Sequence, residues 1–265
     1  MSAREYPKVW SHFERIVEDG RTLQFEVEDI PESMWSTAVE FMLGNYIRED
    51  VWWATAGTAQ NLEAVQEYRV LLTSIIRQKM SVACFLAEGD GSGRTLVAVN
   101  MCLPQDKDRF VDHNPVKTIV FLVPLIKVIN FGLTTPIAQP LRSIDFPKTK
   151  AGLLSLRMFS EAMKVTAIYD KYDVNEYLMG AGLSVAPEYR GLGIAVELLK
   201  ARINLAKELG YRATGGIFTS AGAQRVADKA GMESLYEISY KEFGKQCHIK
   251  FDTDTEYLKI YGIKI

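Results

Sequence analysis

The sequence predicts one α/β domain built on a mixed sheet, and three observations support this class. Strand-like and helical patterns are interleaved along the 265 residues, with a short β-hairpin among them. The composition, 48% hydrophobic and 24% charged, is that of a globular protein with a sizeable core. No internal repeat or linker-like stretch divides the chain, so we expect a single domain over residues 1–265.

Alternation and helix-start signals define the elements of the first half. The TLQFEV run from Thr22 to Val27 alternates apolar and polar residues, which is the period of a half-buried strand. Asp29 and Glu32 have the spacing of a capped helix start, and the helix should run to about Tyr46. The remaining elements are a helix at 61–80, with Leu62, Val65, Tyr68 or Val70, Leu72 and Ile76 on one side, and a hairpin of strands 82–87 and 96–102 around a glycine-rich turn at 89–93.

Strands and helices also alternate in the second half. Gly210 and Gly231 each follow a helical pattern and are expected to end it. The expected elements are an irregular apolar insertion at about 104–150, a helix at 152–172, a strand at 176–185, a helix at 194–209, a strand at 214–219, a helix at 221–230, a strand at 234–240 and a last strand at 256–265.

Charge and residue types exclude several classes of function. The formal charge is −2 and no Lys/Arg run marks a groove-binding surface, so no nucleic-acid partner is expected. The three cysteines and three histidines are scattered, without disulfide or metal-ligand spacing, and we expect no metal. The amino terminus carries early charge and no apolar signal-peptide core. A cytoplasmic monomer or weak dimer is expected.

One apolar stretch, Thr118–Leu133, carries Lys127 as its single charge. It is shorter than the roughly 20 residues that span a bilayer as a helix, and Pro124 interrupts it. We therefore expect a buried or partner-facing segment and no membrane span.

The segment LSVAPEYRGLGIAVELL places an arginine and two glycines between a strand and a helix. A helix start presents about four unpaired backbone N–H groups and a partial positive charge. Gly191 and Gly193 leave the approach to these groups open, and Ala195 keeps the first turn slim. The pattern predicts a phosphate or pyrophosphate site; the alternative is a merely tight turn.

Two other phosphate motifs do not fit this segment. A P-loop requires a Gly-Lys-Ser/Thr ending, and a dinucleotide fold requires a third glycine; both are missing. The pattern instead resembles motif A of the GNAT superfamily of acyl-CoA-dependent N-acetyltransferases. The matching residues are Val185, Pro187, Tyr189, Arg190, Gly191, Gly193, Ile194 and Ala195.

The likeness is greatest to the insect arylalkylamine N-acetyltransferase-like group. It rests on the run from Tyr169 to Ala195, on LAKELGY, on TSAGAQRVADKAGM and on LYEISYKEF. The resemblance implies a GNAT-type domain, with a mixed, mostly antiparallel central sheet and helices on both faces. It also implies acetyl-CoA as co-substrate and a small amine such as dopamine, serotonin or tyramine as acceptor.

The resemblance assigns candidate catalytic residues. An amine with a pKa near 10 must lose a proton before it attacks a thioester, so a base is required. In the insect group an acidic residue after the first long helix has this role, which falls here on Asp50 or, with a one-residue shift, on Glu49. Ser184 matches a serine considered for proton transfer; a half-buried strand serine is the alternative.

The same resemblance assigns the residues that would bind coenzyme A. Leu183, Ser184 and Val185 would pair with its thioester arm, and a backbone N–H near Val185 would polarise the acetyl carbonyl. The phosphate turn would comprise Arg190, Gly191, Leu192, Gly193, Ile194 and Ala195, with Ser220 from a later S-x-Y-S-A-R-like motif. Gly222 and Ala223 replace the tyrosine and serine of that motif, which leaves the general acid open.

The expectation for the acceptor side rests on two aromatic residues. Trp52 and Trp53 follow the acidic pair and would stack on an aromatic or cationic amine, or form core and wall. Two alternative functions stay open. One is an acyltransferase of the same fold for agmatine, an amino acid or a longer acyl-CoA; the other is a catalytically silent CoA-binding module.

Overall fold

The computed structural model describes residues 4–87, 93–107 and 147–265. In these ranges eight strands form one sheet in the order β1-β2-β3-β4-β5-β6-β8-β7. Only β5 and β6 pair in parallel; the other neighbouring pairs are antiparallel, as the resemblance implied. The strands are β1 Val9–Ile16, β2 Thr22–Asp29, β3 Val82–Ala87, β4 Arg94–Asp106, β5 Glu176–Val185, β6 Ala213–Phe218, β7 Glu233–Ser239 and β8 Tyr257–Lys264.

Helices cover both faces of this sheet, which confirms the expected GNAT-type architecture. Helices α1 (Trp35–Gly44) and α4 (Leu62–Ile76) pack with Phe85, Val99 and Met179 on one face. On the other face, α7 (Ile194–Glu208) packs with Val27 and Cys84. The helices are α1 Trp35–Gly44, α2 Tyr46–Glu49, α3 Val51–Thr55, α4 Leu62–Ile76, α5 Lys150–Lys164, α6 Ile168–Tyr172, α7 Ile194–Glu208, α8 Ala221–Lys229 and α9 Tyr240–Cys247.

The predicted helix start at Asp29 is wrong. Asp29 ends β2, and its buried carboxylate accepts hydrogen bonds from Arg4 (Nη1–Oδ2 2.5 Å) and from the amide of Lys8 (2.9 Å). Its partners come from the amino-terminal segment, which local spacing does not reveal. The expected helix to Tyr46 is broken instead into α1 and α2 at Asn45.

The predicted apolar side of α4 is partly wrong. Leu62 is 82% exposed and Val70 is 41% exposed, because they lie off the side that packs on the sheet. Tyr68, Leu72 and Ile76 are buried there as expected. Ala64, Leu71 and Ile75 complete the buried side.

Most second-half elements lie close to their expected bounds. The predicted helix at 152–172 is two helices, α5 and α6, and α9 was not predicted; β1, in the first half, was not predicted either. At the ends of the expected insertion at about 104–150, β4 extends to Asp106 and α5 begins at Lys150. Thr118–Leu133 and most of the turn at 89–93 lie outside the described residues. No helix within the described ranges is long and apolar enough to cross a membrane.

The sheet opens between its two parallel strands. Ladder pairing of β5 with β6 ends at Gly180 and Gly216. Beyond that point β5 stays paired with β4 as far as Val185, while β6 stays paired with β8 as far as Phe218. The two strands therefore diverge and leave one edge of β5 without a strand partner over its last five residues.

Candidate active site

The opening between β5 and β6 leads into a cleft of about 700 Å³. Its walls come from the end of β5, the first turn of α7, the α2–α3 junction and the β6–α8 junction. The predicted acidic pair, the phosphate turn and the serines therefore line one continuous space. These residues are far apart in sequence and come together at the place where β5 and β6 separate.

The turn before α7 has the geometry expected of an anion site. Gly191 (φ +80°) and Gly193 (φ +79°) are both in the left-handed region, which a residue with a Cβ adopts only at a cost. Gly193 is the N-cap of a helix of 15 residues and offers no side-chain cap. A Cβ at Gly191 would meet nothing within 4 Å. The amides of the first turn are thus open to a ligand.

The remaining residues of this turn hold it in place. Arg190 donates from Nε to the carbonyl of Val185 (3.0 Å), and Arg15 donates from Nε to the carbonyl of Leu192 (2.7 Å). Ile194 is 1% exposed and anchors α7 in the core beneath. Ala195 lines the cleft, as its small side chain predicts.

The end of β5 presents backbone groups to the cleft. The amide of Ala186 donates to Val97 in β4 (2.9 Å), so alternation turns the N–H and C=O groups of Leu183 and Val185 toward the open edge. Their side chains pack with the α7 cluster. Ser184 therefore points to the opposite face, where α1 and α4 lie, and it is 6% exposed.

Asp50 lies at the junction of α2 and α3 and is held by three donors. Its Oδ1 caps α3 by accepting from the amides of Trp52 (3.0 Å) and Trp53 (3.4 Å). Its Oδ2 accepts from the hydroxyl of Thr219 (2.5 Å). Burial raises the pKa of Asp50, and these hydrogen bonds oppose that shift. The result is a positioned carboxylate with a higher proton affinity than a solvated one.

Tyr46 connects this carboxylate to the open strand. It lies one helical turn before Asp50, and its phenol is near the Asp50 carboxylate. A Cβ at Gly182 would lie 3.0 Å from the Tyr46 ring. Burial and the charge of Asp50 raise the pKa of Tyr46 well above its ordinary value, so it stays a phenol. Tyr46 therefore lies between the Asp50 carboxylate and β5, which it contacts at Gly182.

Glu49, the other predicted acid, has different surroundings. Its carboxylate forms an ion pair with Arg190 (Oε2–Nη2 2.5 Å), and both side chains are close to half exposed. The pair links the end of α2 to the phosphate turn. The two neighbouring acids therefore have different surroundings: Asp50 faces Tyr46, whereas Glu49 reaches the turn before α7.

The β6–α8 junction forms the other wall of the cleft. Ser220 is the N-cap of α8, and its Oγ accepts from the amide of Ala223 (3.2 Å). A Cβ at Gly222 would meet only Ser220 Oγ (3.9 Å) and Arg225 (4.0 Å). The wall is therefore open where the related motif carries a tyrosine.

The two tryptophans occupy different environments. Trp52 is 7% exposed and stacks on Phe243, with ring centroids 5.8 Å apart. Trp53 is partly exposed and lies against Tyr68, with centroids 4.1 Å apart. Both touch the cleft, but Trp52 is chiefly core and Trp53 is wall.

Three residues of this site were not predicted from the sequence. Tyr46 was detectable as the residue four positions before Asp50, since that spacing shares one helix face. Thr219 precedes a serine helix cap, a weaker signal. Arg202, inside α7, had no signal at all. Among the described residues, no three His, Cys, Asp or Glu side chains gather as a metal site requires.

Comparison with known proteins agrees with this geometry. Residues 151–232 match the sequence model of the Acetyltransferase (GNAT) family. No curated protein matches the sequence. The expected resemblance to GNAT acetyltransferases is confirmed by this match and by the fold.

Solved structures share the fold over nearly the whole chain. A yellow fever mosquito (Aedes aegypti) protein classed as arylalkylamine N-acetyltransferase 7 aligns with a TM-score of 0.72 and 22% identity, over 100% of this chain and 98% of its own. Mosquito arylalkylamine N-acetyltransferase like 5b aligns at 0.68 and 17%, over 91% and 100%. Drosophila melanogaster polyamine N-acetyltransferase, which forms N-acetylagmatine, aligns at 0.65 and 17%, over 91% and 100%.

Proposed function

We propose that this protein is an acetyl-CoA-dependent N-acetyltransferase that acts on a primary amine, with arylalkylamines of the dopamine, serotonin or tyramine type as the acceptor class. The observation that carries the proposal is the placement of Asp50. Its neighbour Tyr46 contacts the open strand at Gly182, and the glycine turn before α7 lies at the end of the same strand. A donor held by the turn would present its thioester to the base.

The donor site is assigned to the residues that line this edge. The amides of Gly191, Leu192, Gly193, Ile194 and Ala195 would bind the pyrophosphate, with Arg190 adding positive charge. The outward backbone groups of Leu183 and Val185 would pair with the amides of the pantetheine arm. Acetyl-CoA would supply a thioester carbonyl that is open to nucleophilic attack.

The chemistry needed from the protein is proton transfer and carbonyl polarisation. The amine nitrogen would form its bond to the carbonyl carbon as Asp50, directly or through a water, takes the amine proton. An open backbone amide of β5 would donate to the carbonyl oxygen as negative charge develops there. The C–S bond would then break and the thiol sulfur would leave.

Departure of the thiol sulfur does not require a dedicated general acid from the protein. A thiol with a pKa of about 8.5 departs as thiolate or takes a proton from water or from Ser184. The open wall at Gly222 and Ala223 is compatible with that route. We therefore assign Ser184 and Ser220 to the donor channel, with Ser184 as the side chain nearest the acceptor face.

The acceptor class is supported by the aromatic wall beside Asp50. Trp53, Tyr68 and Tyr46 lie together there, and Tyr68 is close enough for the charge of Asp50 to raise its pKa. An aromatic amine would stack on this wall while its amino group faces the carboxylate. Mosquito relatives of the same fold are named for arylalkylamines, whereas the Drosophila relative acts on agmatine.

The remaining expectations form part of the same proposal. We assign residues 1–265 to one acetyltransferase domain that acts in the cytoplasm as a monomer or weak dimer. The cysteines support a reducing compartment, because Cys84, Cys102 and Cys247 are buried and free, without a disulfide in the described chain.

A thiol-release assay tests the function directly. Acetyl-CoA is offered with dopamine, serotonin, tyramine, histamine, agmatine and small amino acids. Turnover of an arylalkylamine supports the proposal. Turnover of agmatine or an amino acid alone would replace arylalkylamines with that amine as the acceptor class. CoA binding without turnover of any amine would leave a silent CoA-binding module, and no CoA binding would overturn the donor site.

A further inference from the structure

Arg202 is a cation buried inside α7 with almost no polar contact. The residue is 2% exposed. Its Nη2 contacts the sulfur of Met232 at 3.6 Å, which is a weak acceptor, and its Nε has no hydrogen-bond partner. A guanidinium has five N–H groups to satisfy. In the described structure Arg202 therefore retains donors without partners.

The charge of Arg202 is also unbalanced. The titratable groups that act on it are the Cys102 thiol and the Tyr177 phenol, and no carboxylate of the described residues is among them. Burial lowers the pKa of Arg202, but an arginine keeps its proton in proteins. An unpaired buried charge is costly unless an anion compensates it.

The guanidinium lies in the wall of the cleft beside Gly180, where the two strands part. A Cβ at Gly180 would clash with Arg202, so the glycine makes room for the arginine. Gly180 and Gly216 form the last pair of the β5–β6 ladder, and both line the cleft with Arg202. Asn100 also lines it and donates to the carbonyl of Gly182 (2.9 Å).

The position of Arg202 relative to a donor follows from the proposed function, on which this inference rests. Phosphates at Gly191–Gly193 put the start of the pantetheine arm beside Val185. The base reaches β5 at Gly182 through Tyr46. From Val185 to Gly180 the strand spans about 17 Å, comparable with an extended pantetheine arm. The acyl group of the donor would thus point toward Gly180 and Arg202.

We propose that Arg202 forms the acyl-end site of the cleft, and that this site binds a carboxylate at the far end of a short dicarboxylic acyl group such as malonyl or succinyl. A guanidinium binds a carboxylate through two parallel hydrogen bonds. An alkyl acyl group of the same length would cover the guanidinium with hydrocarbon and leave it unpaired. Acetyl is short enough to leave this site unused.

Binding of acyl-CoA pairs tests the site without any amine. Dissociation constants are measured by calorimetry for malonyl-CoA against propionyl-CoA and for succinyl-CoA against butyryl-CoA. We expect the dicarboxylic member of at least one pair to bind about ten- to hundredfold more tightly. Equal binding within both pairs would overturn the proposal.

Substitutions at Arg202 test whether the preference for dicarboxylic acyl groups depends on its guanidinium. Arg202→Met should remove the preference and keep the affinity for acetyl-CoA, since apolar replacement of an unpaired buried charge is tolerated. Arg202→Lys should keep part of it. Lys200→Met, which removes an exposed cation from the same helix, should leave it unchanged. An unaltered preference in a folded Arg202→Met protein would overturn the assignment.

The result stays distinguishable from failure of the proposed function. A dicarboxylic preference that depends on Arg202 supports the acyl-end site even if no amine in the panel is acylated. Transfer of acetyl to an amine without any dicarboxylic preference would support the acetyltransferase and refute the acyl-end site.

Discussion

The hydroxyl of Thr219 donates a 2.5 Å hydrogen bond to the carboxylate of Asp50, across 169 positions of sequence. The bond joins the end of β6 to the α2–α3 junction, and the other carboxylate oxygen caps α3. The proposed base is therefore oriented by two independent elements. Because Thr219 directly follows β6, the position of the base depends on where β6 separates from β5, and the same separation opens the cleft.

Replacing Thr219 should damage catalysis without affecting the donor site. In Thr219→Val the carboxylate loses one anchor, and we expect kcat to fall by up to about a hundredfold with an unchanged KM for acetyl-CoA. Because the hydrogen bond lowers the pKa of Asp50, the acidic limb of the kcat/KM profile should move to higher pH. Thr219→Ser should restore both. A parallel fall in activity with no movement of the pH profile would indicate a purely structural role.

Neutralising Asp50 should stabilise the fold. Burial raises the native pKa of Asp50 above its unfolded value, so the native state binds more protons between the two values. The free energy of unfolding then falls as pH rises through that window, so the ionised carboxylate destabilises the native state at neutral pH. Asp50→Asn keeps the cap and the Thr219 contact, so its Tm should exceed that of the parent at pH 7.

The Tm difference for Asp50→Asn should shrink as pH is lowered through the raised native pKa of Asp50 toward the ordinary pKa of an aspartate. Thermal unfolding across this range measures it. A lower Tm for the variant at pH 7 would mean that the ionised carboxylate stabilises the fold.

Glu49→Gln should affect donor binding more than chemistry. The change breaks an exposed ion pair with Arg190, and exposed pairs contribute about 1 kcal/mol or less. We expect kcat within about threefold of the parent and a small change in KM for acetyl-CoA in either direction. Steady-state kinetics at saturating amine measure both. Loss of kcat by orders of magnitude would transfer the role of base to Glu49.

Two glycines with the same backbone geometry allow a matched test of the phosphate turn. Gly191 (φ +80°) and Gly210 (φ +84°) both face open space, so alanine at either costs about 1–2 kcal/mol of left-handed strain. Only Gly191 lines the cleft. We expect equal losses of stability but weaker CoA binding, measured by calorimetry, in Gly191→Ala alone. Equal CoA affinity in the two variants would exclude the turn as the phosphate site.

The second half of the fold and the phosphate turn were largely predictable because their signals are local. Strand β5 matches its expected bounds, and α7 begins at Ile194 as expected. Local patterns failed where a long-range contact decides the structure. Asp29 has the spacing of a helix cap, but Arg4 and Lys8 bind it at the end of a strand.

The candidate site shows the same division. The acidic pair was assigned through the resemblance to the insect group, but the different surroundings of Asp50 and Glu49 were not predictable, because Thr219 and Arg190 come from distant segments. The burial of Arg202 could not be predicted from the sequence, for a related reason. An arginine in a helix is ordinarily a surface residue, and only the tertiary packing against Gly180 buries it.

The most direct test of Asp50 as the general base is kcat/KM for the best amine acceptor in Asp50→Asn, measured beside the parent and Glu49→Gln at pH 7. We expect a loss of about 10²- to 10⁴-fold for Asp50→Asn, the range attributed to general base catalysis, with acetyl-CoA affinity retained. Activity within a few-fold of the parent in Asp50→Asn would contradict the assignment of Asp50 as the base.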